Sequence, residues 1–299
     1  MMNQEDLSSN VVNLAYMNIT GQTGLKLDKQ LQIDNFILKN DIDILHCQEI
    51  DVSENTFNEW NLISSSYNII TNNSQNKYGT ATFVKNEFNV ENISFDSNGR
   101  IIVFDIENLT FGNFYLPSGT DADSRSRREN YCCEIIPQLL INSKDSGCLG
   151  GDFNCIINKE DATKNPESKI SPGLKRLVKT FSWQDSYRSL FPTSKVFSRY
   201  YGSERFGDGA TRIDRDYHYG RINVVDAKYI SIAFSDHMAL KLTFKLPNNF
   251  ARTLSPKTRP LFKTKPEVIT DNVFQGRLRD HMALWQEVKS FGVPVLNWW

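Results

Sequence analysis

Two short polar segments of this chain, each directly after an apolar run, contain groups that can act on a phosphate. Asp152 and Asn154 lie in Gly-Gly-Asp-Phe-Asn, and Asp236 and His237 lie in Phe-Ser-Asp-His. A third apolar run ends in Gln-Glu at Glu49. If the apolar runs are buried strands, these side chains meet at one edge of a sheet. Carboxylates, an amide and an imidazole placed together suit metal-assisted cleavage of a phosphate ester.

Each of these groups has a chemical interpretation and a structural alternative. An extended backbone would point Asp152 and Asn154 to one face, where Asp152 could activate water and Asn154 could donate to a phosphate oxygen. A protonated His237 could stabilise the charge that develops on the phosphate, and Asp214 could hold its tautomer and charge. The alternatives are an Asx turn at Asp152, an ion pair between Asp214 and a neighbouring arginine, and a solvated loop at Glu49.

Apolar runs and amphipathic stretches define the elements that must position these groups. Three stretches with an apolar stripe predict helices at 26–40, 124–142 and 171–181, the second with a kink at Pro137. Runs rich in Val, Ile, Phe and Tyr predict strands at 11–16, 42–47, 66–72, 80–85, 101–106, 109–116, 147–150, 223–231 and 239–244. This alternation predicts an α/β sandwich of two sheets with helices outside.

Composition narrows the class of protein. With 299 residues, 39% of them hydrophobic, the chain is expected to form a packed core. The net charge is −1, so binding to DNA would need a local basic surface. No apolar run approaches the roughly 20 residues that cross a bilayer, and we expect no membrane partner. The five cysteines lack paired metal-ligand spacing, which predicts reduced thiols in an intracellular protein.

The two ends of the chain differ in composition from its middle. Residues 1–10 are expected to be poorly ordered, and the globular domain is predicted at 11–247. Residues 248–266 contain no acidic residue but several lysines, arginines and prolines, which predicts a basic linker. Apolar residues at helical spacing follow in 268–288. We therefore expect 248–299 to be a linker and helical segment that leads toward a further region of a larger polypeptide.

In chain order, the motifs resemble those of the exonuclease–endonuclease–phosphatase superfamily over residues 11 to about 246. Gly-Gly-Asp-Phe-Asn and Ser-Asp-His match that family's motifs fully, and Leu-His-Cys-Gln-Glu and Tyr-Leu-Pro are similar to two more. The weakest match surrounds Asn18, because Met17 stands where the family has Trp. The resemblance implies a four-layered α/β sandwich of two central mixed β-sheets flanked by helices.

The resemblance also implies roles for the matching residues. It implies a Mg²⁺ site, with Mn²⁺ as a substitute, formed by Glu49 with help from Asn18 and Asp236. The water, the phosphate and the leaving oxygen would be handled by five residues: Asp152, Asn154, His237, Asp214 and Tyr115.

A second resemblance concerns the segment around Asp214. Thr211–Arg215 is similar to the Ser-Arg-Ile-Asp-Arg signature of the endonucleases of non-LTR (LINE-type) retrotransposons, and Asp185–Arg188 to their Asp-x-x-Arg segment. The departures are Thr211 and the polar run after Arg215, where the family has a Val/Ile-rich strand. The resemblance implies that a hairpin within 196–210 contacts DNA. The residues predicted to bind DNA are Arg127, Arg128, Arg199, Tyr200, Tyr201, Arg205 and Arg212.

For two of these arginines, the prediction of DNA binding rests on helix electrostatics. Arg127 and Arg128 fall where the second predicted helix begins, and cations in a first turn oppose the helix dipole. A bound backbone phosphate would relieve that conflict, while solvated arginines at the start of a loop are the alternative.

These observations predict a Mg²⁺-dependent endonuclease that nicks duplex DNA and leaves a 3′-hydroxyl for target-primed reverse transcription. Its partners would be the DNA, a fused reverse transcriptase region and the element's RNA, and it would act in the nucleus. Three alternatives stay open: an abasic-site repair endonuclease, a phosphatase of inositol or sphingolipid phosphoesters, and a catalytically silent DNA-targeting module.

Overall fold

In the part of the chain that the structure describes, the strands form two six-stranded sheets and one short hairpin. A computed structural model describes residues 11–21, 27–50, 66–73, 79–201 and 209–246. The strands are β1 Val11–Asn18, β2 Ile44–Ile50, β3 Tyr67–Asn72, β4 Gly79–Lys85, β5 Val90–Phe95, β6 Ile101–Ile106, β7 Leu109–Tyr115, β8 Gly147–Asp152, β9 Gln184–Asp185, β10 Arg199–Tyr201, β11 Gly209–Thr211, β12 Asp214–Tyr219, β13 Asn223–Ser231 and β14 Met238–Lys245. The predictions for 1–10 and 248–299 lie outside the described residues.

Both large sheets are mixed. The first sheet has the order β13-β14-β1-β2-β4-β3, and the second has the order β5-β6-β7-β8-β12-β9. The central pairs β1–β2 and β7–β8 are parallel, while β14 and β12 run antiparallel to β1 and β8. The ends of β1, β2, β7 and β8 therefore lie beside the beginnings of β14 and β12.

Helices cover the outer face of each sheet. They are α1 Leu27–Asn40, α2 Ala122–Asn130, α3 Ile136–Leu139, α4 Pro172–Thr180 and α5 Ser186–Leu190, with a π-helix at Tyr131–Ile135 and 3₁₀ turns at Lys159–Asp161 and Pro166–Lys169. None of the helices in the described part of the chain is both long and apolar enough to span a bilayer.

Three apolar clusters define four layers. One lies between the sheets and includes Leu14 and Phe111. Another packs α1 against the first sheet through Ile33 and Ile37. The third packs α3, α4 and the π-helix against the second sheet and includes Leu174. The predicted sandwich of two mixed sheets flanked by helices is confirmed.

The helix that contains Arg127 and Arg128 begins earlier than predicted. Asp121 is its N-cap and accepts a hydrogen bond from the Ser124 backbone N–H at 2.8 Å, so α2 begins at Ala122. The two arginines consequently lie in the last turn of α2, and Asp123 occupies the first turn. The predicted conflict between these arginines and the helix dipole is therefore wrong.

Strand β12 contains Asp214 and was not predicted, because its sequence is polar. Its polar side chains are buried in a network with distant partners. Asp216 accepts a hydrogen bond from the Tyr16 hydroxyl at 2.7 Å and another from Ser186. His218 Nδ1 lies 2.8 Å from the Ser186 hydroxyl. These contacts satisfy polar groups that would otherwise disfavour burial in a strand.

Candidate active site

Side chains at the ends of four central strands converge between the two sheets. Asn18 ends β1 and Glu49 lies near the end of β2, while Tyr115 and Asp152 end β7 and β8. The Asn18 amide nitrogen donates to Glu49 Oε1 and to Asp152 Oδ2, both at 3.0 Å. The Tyr115 hydroxyl donates to Glu49 Oε1 at 3.1 Å. These bonds connect the first sheet to the second at one edge of the sandwich.

The antiparallel neighbours complete the cluster. Asp214 begins β12 directly opposite Asp152 on β8. His237 directly precedes β14, and its Nδ1 lies 2.8 Å from Asp214 Oδ2 and 3.0 Å from Asp214 Oδ1. Asp152, Asp214 and His237 are all buried, and each places one ligand atom within 4.8 Å of the others. An acid, a second acid and an imidazole thus share one buried pocket.

Two glycines directly before Asp152 allow this close approach. A Cβ on Gly150 would lie 2.6 Å from the Tyr16 ring of the opposing sheet. Gly151 has φ +133°, and a Cβ there would lie 2.1 Å from the Phe114 carbonyl oxygen. The backbone conformation and the space both require glycine. The Gly-Gly pair therefore positions Asp152 between its neighbouring strands.

Asn154 does not extend beside Asp152. Its φ is +49°, in the left-handed region, so the backbone has the Asx turn that the sequence left open as the alternative. Its backbone N–H donates to Asp152 Oδ1 at 2.9 Å, which is an Asx turn, and its side-chain amide donates to Asp152 Oδ2 and the Leu116 carbonyl at 3.0 Å. Asn154 therefore holds the Asp152 carboxylate in place.

Burial and mutual charge perturb the titration of the cluster. Burial raises the pKa of Asp152 to about 7, and the nearby Asp214 charge contributes in the same direction. Burial alone would lower the pKa of His237, but the charge of Asp214 and its hydrogen bond outweigh burial and raise that pKa to about 9. Burial, followed by the Glu49 charge, raises the pKa of Tyr115. At neutral pH His237 is therefore an imidazolium ion, and Asp152 is close to its titration midpoint.

Asp236 lies at the rim of the pocket, with its Oδ1 3.9 Å from His237 Nε2. Oδ2 accepts from Arg199 Nε at 2.9 Å, and Oδ1 accepts from the Thr20 hydroxyl at 3.1 Å. Burial would raise the pKa of Asp236, but the Arg199 hydrogen bond and charge lower it below its usual range. Of the three predicted metal ligands, Asn18 and Glu49 therefore lie within the cluster, and Asp236 faces an arginine.

The donor set fits a hard divalent cation. Glu49 and Asp152 present carboxylate oxygens on either side of Asn18, and Mg²⁺ and Mn²⁺ prefer such oxygen ligands. Burial, followed by the negative charge of Asp214, raises the pKa of Asp152. A dication bound at Glu49 would offset that charge.

Two arginines predicted to bind DNA are buried instead. Arg212 is 1% exposed, and its guanidinium contacts Asp161 Oδ1 at 2.8 Å and Asp185 Oδ2 at 2.7 Å. Arg128 is 3% exposed and donates to the Pro117 and Gly119 carbonyls at 2.7 Å. Their hydrogen-bonding groups are used inside the protein, so the structure contradicts direct contact with DNA for both residues.

The remaining predicted DNA-binding residues are on the surface or outside the described residues. Tyr200 and Tyr201 are 52% and 37% exposed on β10, which pairs with β11. Arg127 is exposed and pairs with Asp123 at 3.2 Å. Arg205 lies outside the described residues. The described part of the hairpin therefore presents two exposed aromatic rings.

The sequence interpretation missed Ser198 and Asp161. The Ser198 hydroxyl accepts from the backbone N–H groups of Ile213 and Asp214 at 3.0 and 2.9 Å, which orients the start of β12. Asp161 forms ion pairs with both Arg212 and Arg188. A serine and an aspartate in loop sequence give no local signal of such roles, because their partners are distant in the chain.

The comparisons with known proteins relate this chain to solved structures only. No protein-family model matches it, and no curated protein does. An AP endonuclease from Archaeoglobus fulgidus superposes with a TM-score of 0.64 at 18% identity, covering 77% of this chain and 98% of that one. TDP2 from Caenorhabditis elegans gives 0.57 at 23% identity, with 82% and 77% covered. The Neisseria 3′ phosphatase NExo, solved with a product DNA hairpin, gives 0.61 at 16% identity, with 77% and 98% covered. These proteins share the α/β sandwich fold.

Proposed function

We propose that this protein is a divalent-metal-dependent phosphodiesterase that nicks duplex DNA and leaves a 3′-hydroxyl. The observation that supports this most directly is the single pocket that joins Asp152, the Asp214–His237 pair and Glu49. An acid with a pKa of about 7 beside a protonated imidazole provides a proton acceptor and a cation at the same place. Hydrolysis of a phosphodiester is accelerated by both.

Each residue of the pocket has a defined task in this proposal. Asp152 accepts the proton of the attacking water, while Asn154 and Asn18 hold its carboxylate in position. His237, charged because Asp214 faces it, stabilises the negative charge on the phosphate oxygens. Tyr115 donates to Glu49 and stands beside the leaving oxygen.

Glu49 would hold Mg²⁺ or Mn²⁺ through its carboxylate, and Asn18, whose amide nitrogen donates to Glu49 Oε1, would orient that carboxylate. The bound cation would neutralise charge on the scissile phosphate. The partly exposed position of Glu49 leaves room for the waters that Mg²⁺ usually keeps.

DNA is the proposed substrate for two reasons. AP endonucleases and a 3′ phosphatase solved with DNA have the same fold. Tyr200 and Tyr201 are exposed, and exposed aromatic rings are platforms on which bases stack. The neighbouring Arg199 adds positive charge on the same strand.

A supercoiled plasmid tests the proposal. With Mg²⁺, the protein is expected to convert it to the nicked circle, and EDTA should abolish the conversion. A DNA polymerase should extend the nick without prior phosphatase treatment if a 3′-hydroxyl is present. Asp152→Ala and His237→Ala should lose the activity. Equal nicking by the wild type and both variants would reject the proposal, and binding without nicking would favour a silent targeting module.

We further propose that the nick primes target-primed reverse transcription of a non-LTR retrotransposon. The support is the relation between Thr211–Arg215 and Asp185–Arg188, which resemble two segments of that class. In three dimensions these segments join through the Arg212–Asp185 ion pair. The fused reverse transcriptase and the element RNA belong to the same proposal.

Substrate panels separate this role from its alternatives. An endonuclease of this class is expected to nick intact duplex at preferred positions, which sequencing of the nicked ends would reveal. Strong preference for a duplex with one abasic site would favour a repair endonuclease instead. Release of phosphate from inositol phosphates, without nicking, would favour a phosphatase.

A further inference from the structure

We propose that Arg199 binds a non-bridging oxygen of the scissile phosphate, and that Asp236 is the residue that positions it rather than a metal ligand. This inference rests on the proposed phosphodiesterase function. It assigns Arg199 to the reaction centre and not only to a general DNA-binding surface.

The backbone places Arg199 beside His237. An isolated antiparallel bridge joins the two residues, and the Tyr200 N–H donates to the Asp236 carbonyl at 3.3 Å. The first residue of β10 is thereby connected to the segment that presents the imidazole. An arginine at this position reaches the pocket from the side of the hairpin.

The side-chain contact orients the guanidinium. Arg199 uses Nε to donate to Asp236 Oδ2 at 2.9 Å. Within the described ranges, no residue accepts from its two terminal nitrogens. The side chain is 37% exposed, so a ligand can reach those nitrogens. A guanidinium held through Nε presents its terminal N–H groups in a fixed plane, which matches the paired oxygens of a phosphate.

Asp236 is in turn fixed to the end of β1. Its Oδ1 accepts from the Thr20 hydroxyl, which also lies 2.7 Å from the Ser235 hydroxyl. Ser235 donates to the Asn18 carbonyl at 2.8 Å. Both carboxylate oxygens of Asp236 are therefore occupied by protein donors, and the arrangement is that of a support for Arg199.

The charges of the pocket are consistent with this placement. The charges of Asp152 and Glu49 help to raise the pKa of Arg199, and Arg199 opposes the rise in the pKa of His237. Arg199 is thus within electrostatic reach of the acids and of the imidazole. A phosphate between Arg199 and His237 would contact two cations.

Steady-state nicking of a duplex oligonucleotide tests the inference. Arg199→Ala is expected to lower kcat/KM by about 10²–10³-fold, as when a preorganised donor to a reacting oxygen is removed. Arg199→Lys should recover part of that loss, because lysine keeps the positive charge but lacks the paired N–H donors of the guanidinium. Arg221→Ala is the matched control: this exposed arginine lies near Gly147, at the opposite end of β8 from Asp152, and should retain wild-type activity.

Asp236→Asn separates positioning from metal binding. It should lower kcat/KM with little change in the Mg²⁺ concentration that gives half-maximal rate. The double variant with Arg199→Ala should be no worse than Arg199→Ala alone, because the two residues act as one unit. A methylphosphonate at the scissile linkage, which removes one charged oxygen, should slow the wild type more than Arg199→Ala.

Other outcomes overturn the inference. A much higher Mg²⁺ requirement in Asp236→Asn, with Arg199→Ala at the wild-type rate, would make Asp236 a metal ligand. Additive losses in the double variant would show that Asp236 does not act through Arg199. A folded wild type that cleaves no phosphodiester would overturn the proposed function as well. A wild type that cleaves, with Arg199→Ala equal to it, would overturn this inference alone.

Discussion

Asp152 and Asp214 are direct partners across the antiparallel strands β8 and β12, and both are at least 98% buried. Like charges directly opposite each other destabilise a sheet, and burial increases that cost. The effect is visible in Asp152, where burial and then Asp214 raise the pKa to about 7. The strand pair therefore keeps an unfavourable arrangement of acids at the place where hydrolytic chemistry is proposed.

The first prediction concerns Asp152 as the proton acceptor. Asp152→Asn keeps the size of the side chain but removes its basicity, so the nicking rate should fall by about 10²–10⁴-fold. The measurement is single-turnover cleavage of a labelled duplex. Asp145→Asn, an exposed change near the opposite end of β8, is the matched control and should nick at the wild-type rate. A wild-type rate in Asp152→Asn would remove Asp152 from the mechanism.

The second prediction concerns pH. In the wild type, kcat/KM should rise as Asp152 loses its proton and fall as His237 loses its own near pH 9. The Asp214 charge raises the pKa of both groups, so Asp214→Asn should move both limbs of the profile to lower pH. Profiles of the two proteins with the same duplex would check this. If the rising and falling limbs of the Asp214→Asn profile lie at the same pH as in the wild type, Asp214 does not set these pKa values.

The third prediction concerns stability through Asp216. Burial raises the pKa of this carboxyl to about 7 in the folded protein from an ordinary value of 3.8. The protonated Asp216 carboxyl contributes fully to the stability of the folded protein below pH 3.8, its ordinary pKa. That contribution is lost as the pH rises through about 7, because the buried carboxyl must then ionise. The free energy of unfolding of the wild type should therefore fall, relative to Asp216→Asn, between pH 5 and pH 8. Urea denaturation at both pH values measures it, and parallel pH dependence of the two proteins would refute the assignment.

The fourth prediction concerns Arg212 as a structural cation. Arg212→Ala leaves Asp161 and Asp185 without their buried partner and should destabilise the fold by about 3–5 kcal/mol. Urea unfolding followed by tryptophan fluorescence measures this loss. Arg221→Ala should stay within about 0.5 kcal/mol of the wild type. A stable Arg212→Ala protein with weakened DNA binding would restore the original prediction that Arg212 contacts DNA.

The fifth prediction concerns Tyr200 in DNA binding. Its ring is 52% exposed, so Tyr200→Ala should weaken DNA binding by about 1–3 kcal/mol if a base stacks on it. The thermal midpoint of unfolding should change little. Leu38→Ala, which removes an exposed apolar side chain from α1, is the control and should bind DNA normally. Fluorescence anisotropy with a labelled duplex gives both affinities, and equal values would remove Tyr200 from the binding surface.

Much of the fold could be predicted because its signals are local. The apolar runs that precede Glu49 and Asp152 are buried central strands, and a run of apolar residues reveals such a strand without knowledge of its neighbours. Ser171-Pro-Gly likewise predicted the start of α4, where Ser171 caps the helix by accepting from the Leu174 N–H. Strand β12 escaped prediction because the donors that satisfy its buried Asp216 are distant in the sequence: Tyr16 is 200 positions away and Ser186 is 30 positions away.

By itself, the sequence determined the two-sheet sandwich and the set of polar side chains at its strand ends. The spacing of apolar residues and the turn residues determine strands and helices locally, without distant partners. Tertiary structure alone decided how the charged residues are used. Arg199 pairs with Asp236 at the rim, whereas Arg212 is buried between Asp161 and Asp185. Both are arginines next to aromatic or apolar residues in similar sequence. The chemical type of a side chain does not specify its burial or its partner, since these depend on residues brought near only when the sheets pack together.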